Sequence, residues 1–311
     1  ILTVEFYRKY RPRTFKQVIG QPESVKILEK KIQNGTMPHA LLFAGPSGCG
    51  KTTLARILKG KLECSDLDFQ EINTADFRGI DTARDIRMAM NYAPTAGKCR
   101  IWLIDEAHRA TADFQAACLK LLEDTPSHVY FMLATTEPQK LLKTIITRCT
   151  TIQVKSLSSH VLEKLIQYVS EKEGIKLTEE ITDGIIAASD GSGRKALVLL
   201  GQVVELDDEE SQLNMLLSID AEKQAISLAK ALLNFRTRWE DISKIIKGID
   251  EEPEKLRYMV LGYASSVLLK GGKLAPRAYL IVNAFESNFY DSKRAGLIRA
   301  CWEVIGNNKG G

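Results

Sequence analysis

One string constrains this chain above all others: Gly45-Pro46-Ser47-Gly48-Cys49-Gly50-Lys51-Thr52. An apolar run over residues 40–44 precedes it, and apolar residues at helical spacing follow it over residues 52–62. Strand, glycine-rich turn and helix in that order are the context the pattern GxxxxGK(S/T) requires. The glycines let the backbone curl until successive N–H groups point inward at phosphate oxygens, and the start of the helix adds partial positive charge. Lys51 is placed to reach β- and γ-phosphates and the Thr52 hydroxyl to hold Mg²⁺, with Thr53 beside it in the cradle. The expected ligand is a nucleoside triphosphate, ATP, with its magnesium.

A second string supplies the charge such a ligand needs. Ile101-Trp102-Leu103-Ile104-Asp105-Glu106 is an apolar strand ending in two carboxylates. Asp105 suits the metal's coordination shell, directly or through water, and Glu106 suits the orientation of a water for attack on a γ-phosphate. Ala107-His108 completes the letters DEAH, which several classes of nucleotide motor share, and His108 reads as structural. Leu133-Ala134-Thr135-Thr136 ends a further strand in hydroxyls, and Thr136 is the candidate to sense the γ-phosphate or place the water.

Strand patterns at 40–44, 100–104, 129–134 and 150–154 alternate with helical ones, including 112–122. Buried strands between helices imply a mainly parallel sheet covered on both faces. Past residue 155 the strands stop. Helical spacing runs over 161–171, a helix capped by Thr178 runs to 189, glycines break it at 191–193, and another helix covers 194–204. The acidic stretch 205–210 reads as a linker or an exposed helix end. From residue 211 about five amphipathic helices follow, punctuated by Gly248, Pro253, Gly271, Gly272 and Pro276. The expected organisation is an α/β nucleotide-binding domain over 1–155, a small all-α domain over 156–208 and an all-α bundle over 209–311.

Composition narrows the classes. A net charge of +4 over 311 residues excludes a histone-like positive coat, while a local basic face remains compatible with DNA binding. Six scattered cysteines without a CxxC pair argue against a disulfide framework or a four-cysteine zinc site and fit a reducing compartment. No apolar run approaches the ~18 residues of a membrane span, and the charged start, 1–13, does not read as a signal peptide.

Taken together with Tyr7-Arg8-Lys9-Tyr10-Arg11-Pro12-Arg13-Thr14-Phe15, Val18-Ile19-Gly20-Gln21, Leu119-Lys120-Leu121-Leu122-Glu123 and Thr147-Arg148-Cys149, these strings resemble the AAA+ clamp-loader ATPases. The pattern is that of bacterial DNA polymerase III gamma/tau subunits, with replication factor C small subunits and phage clamp loaders similar. The resemblance covers roughly residues 4–204. It implies an AAA+ P-loop domain with a parallel sheet, a lid and a C-terminal collar. It implies an ATPase stimulated by DNA and by a sliding clamp, working at the replication fork in the cytoplasm to load the clamp on primer–template DNA. The implied partners are other clamp-loader subunits in a ring or spiral, expected as a pentamer, together with the clamp and the DNA. Another AAA+ DNA motor, such as a branch-migration helicase, is the alternative.

By position, the resemblance puts Tyr7, Arg11, Pro12, Val18 and Ile19 in an adenine pocket. Thr136 falls at sensor 1, and Arg194 falls at sensor 2, touching the nucleotide from the lid. Arg148 falls at the arginine that reaches into a neighbouring subunit's site. A guanidinium suits both places because it stays charged and binds phosphate oxygens in bidentate fashion. Thr147 replaces the usual serine before that arginine and keeps the hydroxyl. The family's bacterial gamma subunits carry a four-cysteine zinc module between the two acidic and phosphate-binding motifs; only Cys64 and Cys99 occupy that interval here, so no zinc is expected, and a phage or divergent lineage is implied. The segment Asp76-Phe77-Arg78-Gly79-Ile80-Asp81-Thr82-Ala83-Arg84 resembles the part that faces duplex DNA. Arg78, Arg84, Arg87 and Arg109 are therefore the candidates for phosphate contacts, which fix position without reading sequence.

Overall fold

The computed structural model describes residues 5–74, 80–249 and 251–306. Their contacts gather into two compact units, Ile1–Asp207 and Asp208–Gly311.

The first unit runs α1 (Phe6–Lys9), α2 (Pro22–Gln33), β1 (Ala40–Ala44), α3 (Lys51–Lys61), β2 (Phe69–Asn73), α4 (Ile80–Ala89), β3 (Arg100–Asp105), α5 (Ala112–Glu123), β4 (Val129–Thr135), α6 (Lys143–Arg148) and β5 (Thr150–Gln153). Three helices follow: α7 (Ser159–Glu173), α8 (Glu179–Ser189) and α9 (Gly193–Val204). The five strands form one parallel sheet in the order β2-β3-β4-β1-β5. Side chains alternate across it with period two. Leu41, Phe43, Ile101, Leu103, Met132 and Ala134 pack toward α2 and α3; Leu42, Trp102, Ile104, Phe131 and Leu133 pack toward α4, α5 and α6. Both faces are covered, which is why these strands read as unbroken apolar runs. Each fully buried Leu or Phe in them contributes about 1.5–3 kcal/mol.

The sequence reading omits β2. That strand is an edge, hydrogen-bonded to β3 alone, and of its five residues only Ile72 is buried. Gln70 is polar yet paired, its Oε1 accepting from the indole N–H of Trp102 at 3.0 Å. An edge strand with one buried side chain carries no apolar run by which to find it.

Helix starts follow the capping chemistry that the residues allow. Thr111, Thr178 and Ser192 each accept, through the side-chain oxygen, from a backbone N–H in the first turn of α5, α8 and α9. Gly174, at φ +67°, ends α7.

In the second unit the described elements are all helices: α10 (Glu209–Leu233), α11 (Trp239–Lys247), α12 (Pro253–Lys270), α13 (Ala275–Ala284) and α14 (Lys293–Gly306). Its own core includes Leu228, Ile242, Leu256, Ile281, Phe285 and Val304. A buried ion pair is wired into that core. Glu254 and Arg257 are 5% and 6% exposed; Arg257 Nη1 donates to Phe285 O at 2.9 Å, and Glu254 Oε2 accepts from Phe289 N at 2.6 Å. Glu254 is held below the usual carboxylate range, first by Arg257.

Candidate functional site

The sheet order sets the site. In a parallel sheet every strand ends on the same edge, and ligands bind outside those carboxyl ends. Because β4 lies between β1 and β3, its terminal hydroxyls fall between the phosphate loop that follows β1 and the carboxylates that end β3.

The loop itself is built by close approach. A β-carbon at Gly45 would lie 1.9 Å from the carbonyl oxygen of Val154, and one at Gly48 would lie 2.1 Å from Ser192 Oγ. The loop is thus seated on the end of β5 and on the cap of α9. Arg194 N donates to Gly48 O at 3.3 Å, and the buried Gln21 donates to Lys155 O at 2.6 Å while accepting from Lys155 N at 3.1 Å. Lys51 is buried, and its ammonium donates to Gly45 O and Pro46 O, both at 2.8 Å. Burial lowers its pKa, opposed by the neighbouring Glu106 and Asp105.

Beside the loop is a cavity of about 760 Å³. Tyr7, Arg11, Pro12, Val18 and Ile19 line one part of it. Ser47, Gly48, Cys49, Gly50, Lys51, Thr52 and Thr53 line another, Asp105, Glu106 and Arg194 line it too, and Leu157, Leu165, Tyr168 and Leu197 are among its other walls. Gly45 and Pro46 stand behind the loop as Lys51's acceptors, and do not line the cavity. The Arg194 guanidinium lies 5.7 Å from the Tyr7 ring centre. Arg11 Nη2 donates to Thr52 Oγ1 at 2.8 Å, and its Nε donates to Thr53 Oγ1 at 3.2 Å. Burial, with Arg56 next, lowers the Arg11 pKa.

A hydroxyl and a carboxylate at this cavity fit a hard dication such as Mg²⁺ bound with phosphates. Asp105 is held above its usual carboxylate range, chiefly by burial, against a hydrogen bond that its Oδ1 accepts from Glu106 N at 3.0 Å. Glu106 has left-handed backbone geometry, φ +50° and ψ +41°. Arg109 N donates to its carbonyl at 2.8 Å and Thr74 Oγ1 does so at 2.6 Å. Its side chain accepts from Thr136 Oγ1 at 3.5 Å and lies 3.4 Å from His108 Nδ1. Thr136 therefore touches the carboxylate but does not line the cavity.

Thr74 is absent from the sequence reading, because its place opposite the Asp105–Glu106 peptide follows only from β2, the strand that reading omits. His108, read as structural, stands against the carboxylate.

Arg148 lies at the end of α6, away from its own cavity. Its Nε donates to Glu123 Oε1 at 2.9 Å and its Nη1 to Thr144 O at 3.0 Å. Of the arginines expected to meet DNA, Arg84 is exposed and paired with Asp81 at 3.0 Å, and Arg87 is exposed, 3.9 Å from Asp124. Arg109 is exposed next to the Glu106 turn. Arg78 lies outside the described residues. Among those residues no helix is long and apolar enough to cross a membrane.

Known proteins resemble this chain along most of its length. A family-wide profile described as "DNA polymerase III, delta subunit" matches residues 20–158. The DNA polymerase III subunit gamma of Buchnera aphidicola is 33% identical over 250 residues, covering 73% of this chain and 69% of that protein. Subunit tau of Bacillus subtilis is 30% identical over 290 residues, covering 85% of this chain and 51% of that protein. The gamma/tau subunit of Mycobacterium bovis is 34% identical over 221 residues, covering 64% of this chain. The chain spans only 38% of the length of that mycobacterial protein. Among solved structures, the Holliday junction branch migration motor RuvB of Thermotoga maritima covers 80% of this chain and 84% of its own, at 21% identity and a TM-score of 0.55; at that identity it attests the fold alone. On the strength of these sequence relatives, and of a phosphate loop, a carboxylate pair and a parallel sheet arranged as described, the chain belongs to the clamp-loader AAA+ family of DNA polymerase III gamma/tau subunits.

Proposed function

We propose that this chain is an ATP-hydrolysing motor subunit of a clamp loader, which opens a ring-shaped sliding clamp and places it on primer–template DNA. The observation that carries this reading is the convergence of Lys51, Thr52, Asp105, Glu106 and Arg194 on a single cavity beside a phosphate loop. In it, residues 1–155 bind the nucleotide, 156–208 serve as a lid and 209–311 as a collar that joins neighbouring subunits, five being the expected number. The other subunits, the clamp and the DNA are its partners, at the replication fork in the cytoplasm.

In this mechanism Tyr7, Pro12, Val18 and Ile19 hold the base. Lys51 leaves the carbonyls of Gly45 and Pro46 to neutralise phosphate oxygens. Arg11 gives up Thr52, which with Asp105 would hold Mg²⁺; that group would supply positive charge to offset the phosphates. Glu106 orients the attacking water, and Thr136 steadies Glu106. Arg194 meets the phosphates from the lid. Arg148 meets those of the adjoining subunit, adding a positive charge as phosphoryl transfer proceeds. Arg78, Arg84, Arg87 and Arg109 meet DNA phosphates. The branch-migration alternative has only a shared fold behind it, because the sequence relatives are gamma/tau subunits.

The test is hydrolysis by the assembled complex with clamp and primed DNA. Lys51→Ala abolishes nucleotide binding in an equilibrium titration. Arg148→Ala binds ATP as the parent does, but loses on the order of 10³-fold or more of DNA-stimulated turnover. Full stimulated turnover by the Arg148 variant overturns the trans role.

A further inference from the structure

His108 is an imidazole with three polar neighbours, Glu106, Thr135 and Glu137, beside the carboxylate end of the cavity. Its side chain is 5% exposed. Nδ1 lies 3.4 Å from Glu106 Oε2 and 3.1 Å from Thr135 Oγ1, and Nε2 lies 3.4 Å from Glu137 Oε1. The surroundings are themselves fixed. Thr135 is fully buried, and its hydroxyl also accepts from Glu137 N at 3.1 Å. Glu137 is clasped by Lys140 at 2.7 Å. Thr136 Oγ1 donates to the same Glu106 oxygen that His108 approaches. That oxygen therefore has two handles, one from the end of β4 and one from the turn Ala107–Arg109.

The geometry points to His108 as a positioning residue for Glu106. It acts through the carboxylate rather than on nucleotide, metal or water, and it does not line the cavity. A glutamate has three side-chain torsions, and one at 29% side-chain exposure would otherwise sample several of its rotamers. A buried ring with two torsions, braced on its far side by Glu137, removes most of that freedom. The sharp left-handed turn at Glu106 brings the ring of residue 108 back against the side chain of residue 106. Water orientation depends on sub-ångström placement, so a loosened Glu106 loses rate without losing nucleotide. The proposal rests on the reading of Glu106 as the water-orienting group.

The experiment uses the full chain in its assembly, with ATP, clamp and primed DNA. His108→Ala is expected to lower kcat about 10- to 100-fold, the range for removal of a supporting partner, with nucleotide affinity within about twofold of the parent. His108→Gln, whose amide can again meet both carboxylates, recovers a measurable part of kcat. In a Glu106→Gln background, His108→Ala adds no further loss. Parental kcat in His108→Ala overturns the proposal, as does a loss of affinity that matches the loss of kcat and is not recovered by glutamine, or an additive loss in the double variant. Full hydrolysis by Glu106→Gln alone strikes instead at the reading of Glu106, and removes the proposal with it.

Discussion

At Gly45 a side chain has nowhere to go. The oxygen it would strike is that of Val154, a residue whose own N–H is bonded to Ala44 O at 2.8 Å and whose carbonyl carbon joins Lys155 N, itself bonded to Gln21 Oε1 at 3.1 Å, so neither strand end can yield cheaply. Gly45→Ala is expected to cost at least ~3 kcal/mol of stability and to weaken nucleotide binding together with it; thermal melting and a nucleotide titration on the same variant check this, and an unchanged melting temperature would contradict the packing argument. The residues that could be read straight from the sequence are those whose chemistry is stated by their own neighbours in the chain. Lys51 and Thr52 announce themselves in a phosphate-loop string, and Asp105 and Glu106 at the end of an apolar run. Thr74 and His108 could not be, since each acquires its meaning only when strands from elsewhere are laid alongside.

The same distinction holds for elements. Strands β1, β3 and β4 are buried on both faces and read as continuous apolar runs, so the sheet was legible from them; β2 is an edge whose polar residues hide it. What secures the start of that edge is a single carboxylate. Asp68 is 4% exposed and accepts from the backbone N–H groups of Thr95, Ala96 and Gly97 at 2.6, 3.0 and 2.9 Å, as well as from Ser65 Oγ at 2.6 Å. Burial opposes its charge, yet these four donors outweigh it and hold its pKa well below the usual range. A depressed carboxylate stabilises the fold at pH values above its unfolded pKa of about 3.9, and that stability drains away as the pH falls toward the folded value. Asp68→Asn should therefore cost on the order of 3 kcal/mol at neutral pH. Its deficit against the parent should shrink below pH ~4, a trend that denaturant melts over pH 3–7 measure. A deficit that stays constant across that range would refute the assignment.

At the scale of the whole molecule, the second unit has a core of its own and a buried ion pair within it, at a length typical of a domain that folds alone. The fragment 208–311 is expected to unfold in a single cooperative thermal transition, followed by circular dichroism; a gradual, featureless melt would show that its core is insufficient. The first unit has another lesson. The working tips after β1, at the end of β3 and at the end of β4, at Ala44, Asp105 and Thr135, come from well-separated stretches of the chain, yet they stand side by side like the teeth of a comb. Hydrogen-bonded ladders set the gauge between teeth at about 4.8 Å. Loops on the opposite edge can therefore lengthen or shorten without altering that gauge, whereas deletion of one residue inside β4 would turn its last tooth to the other side of the sheet.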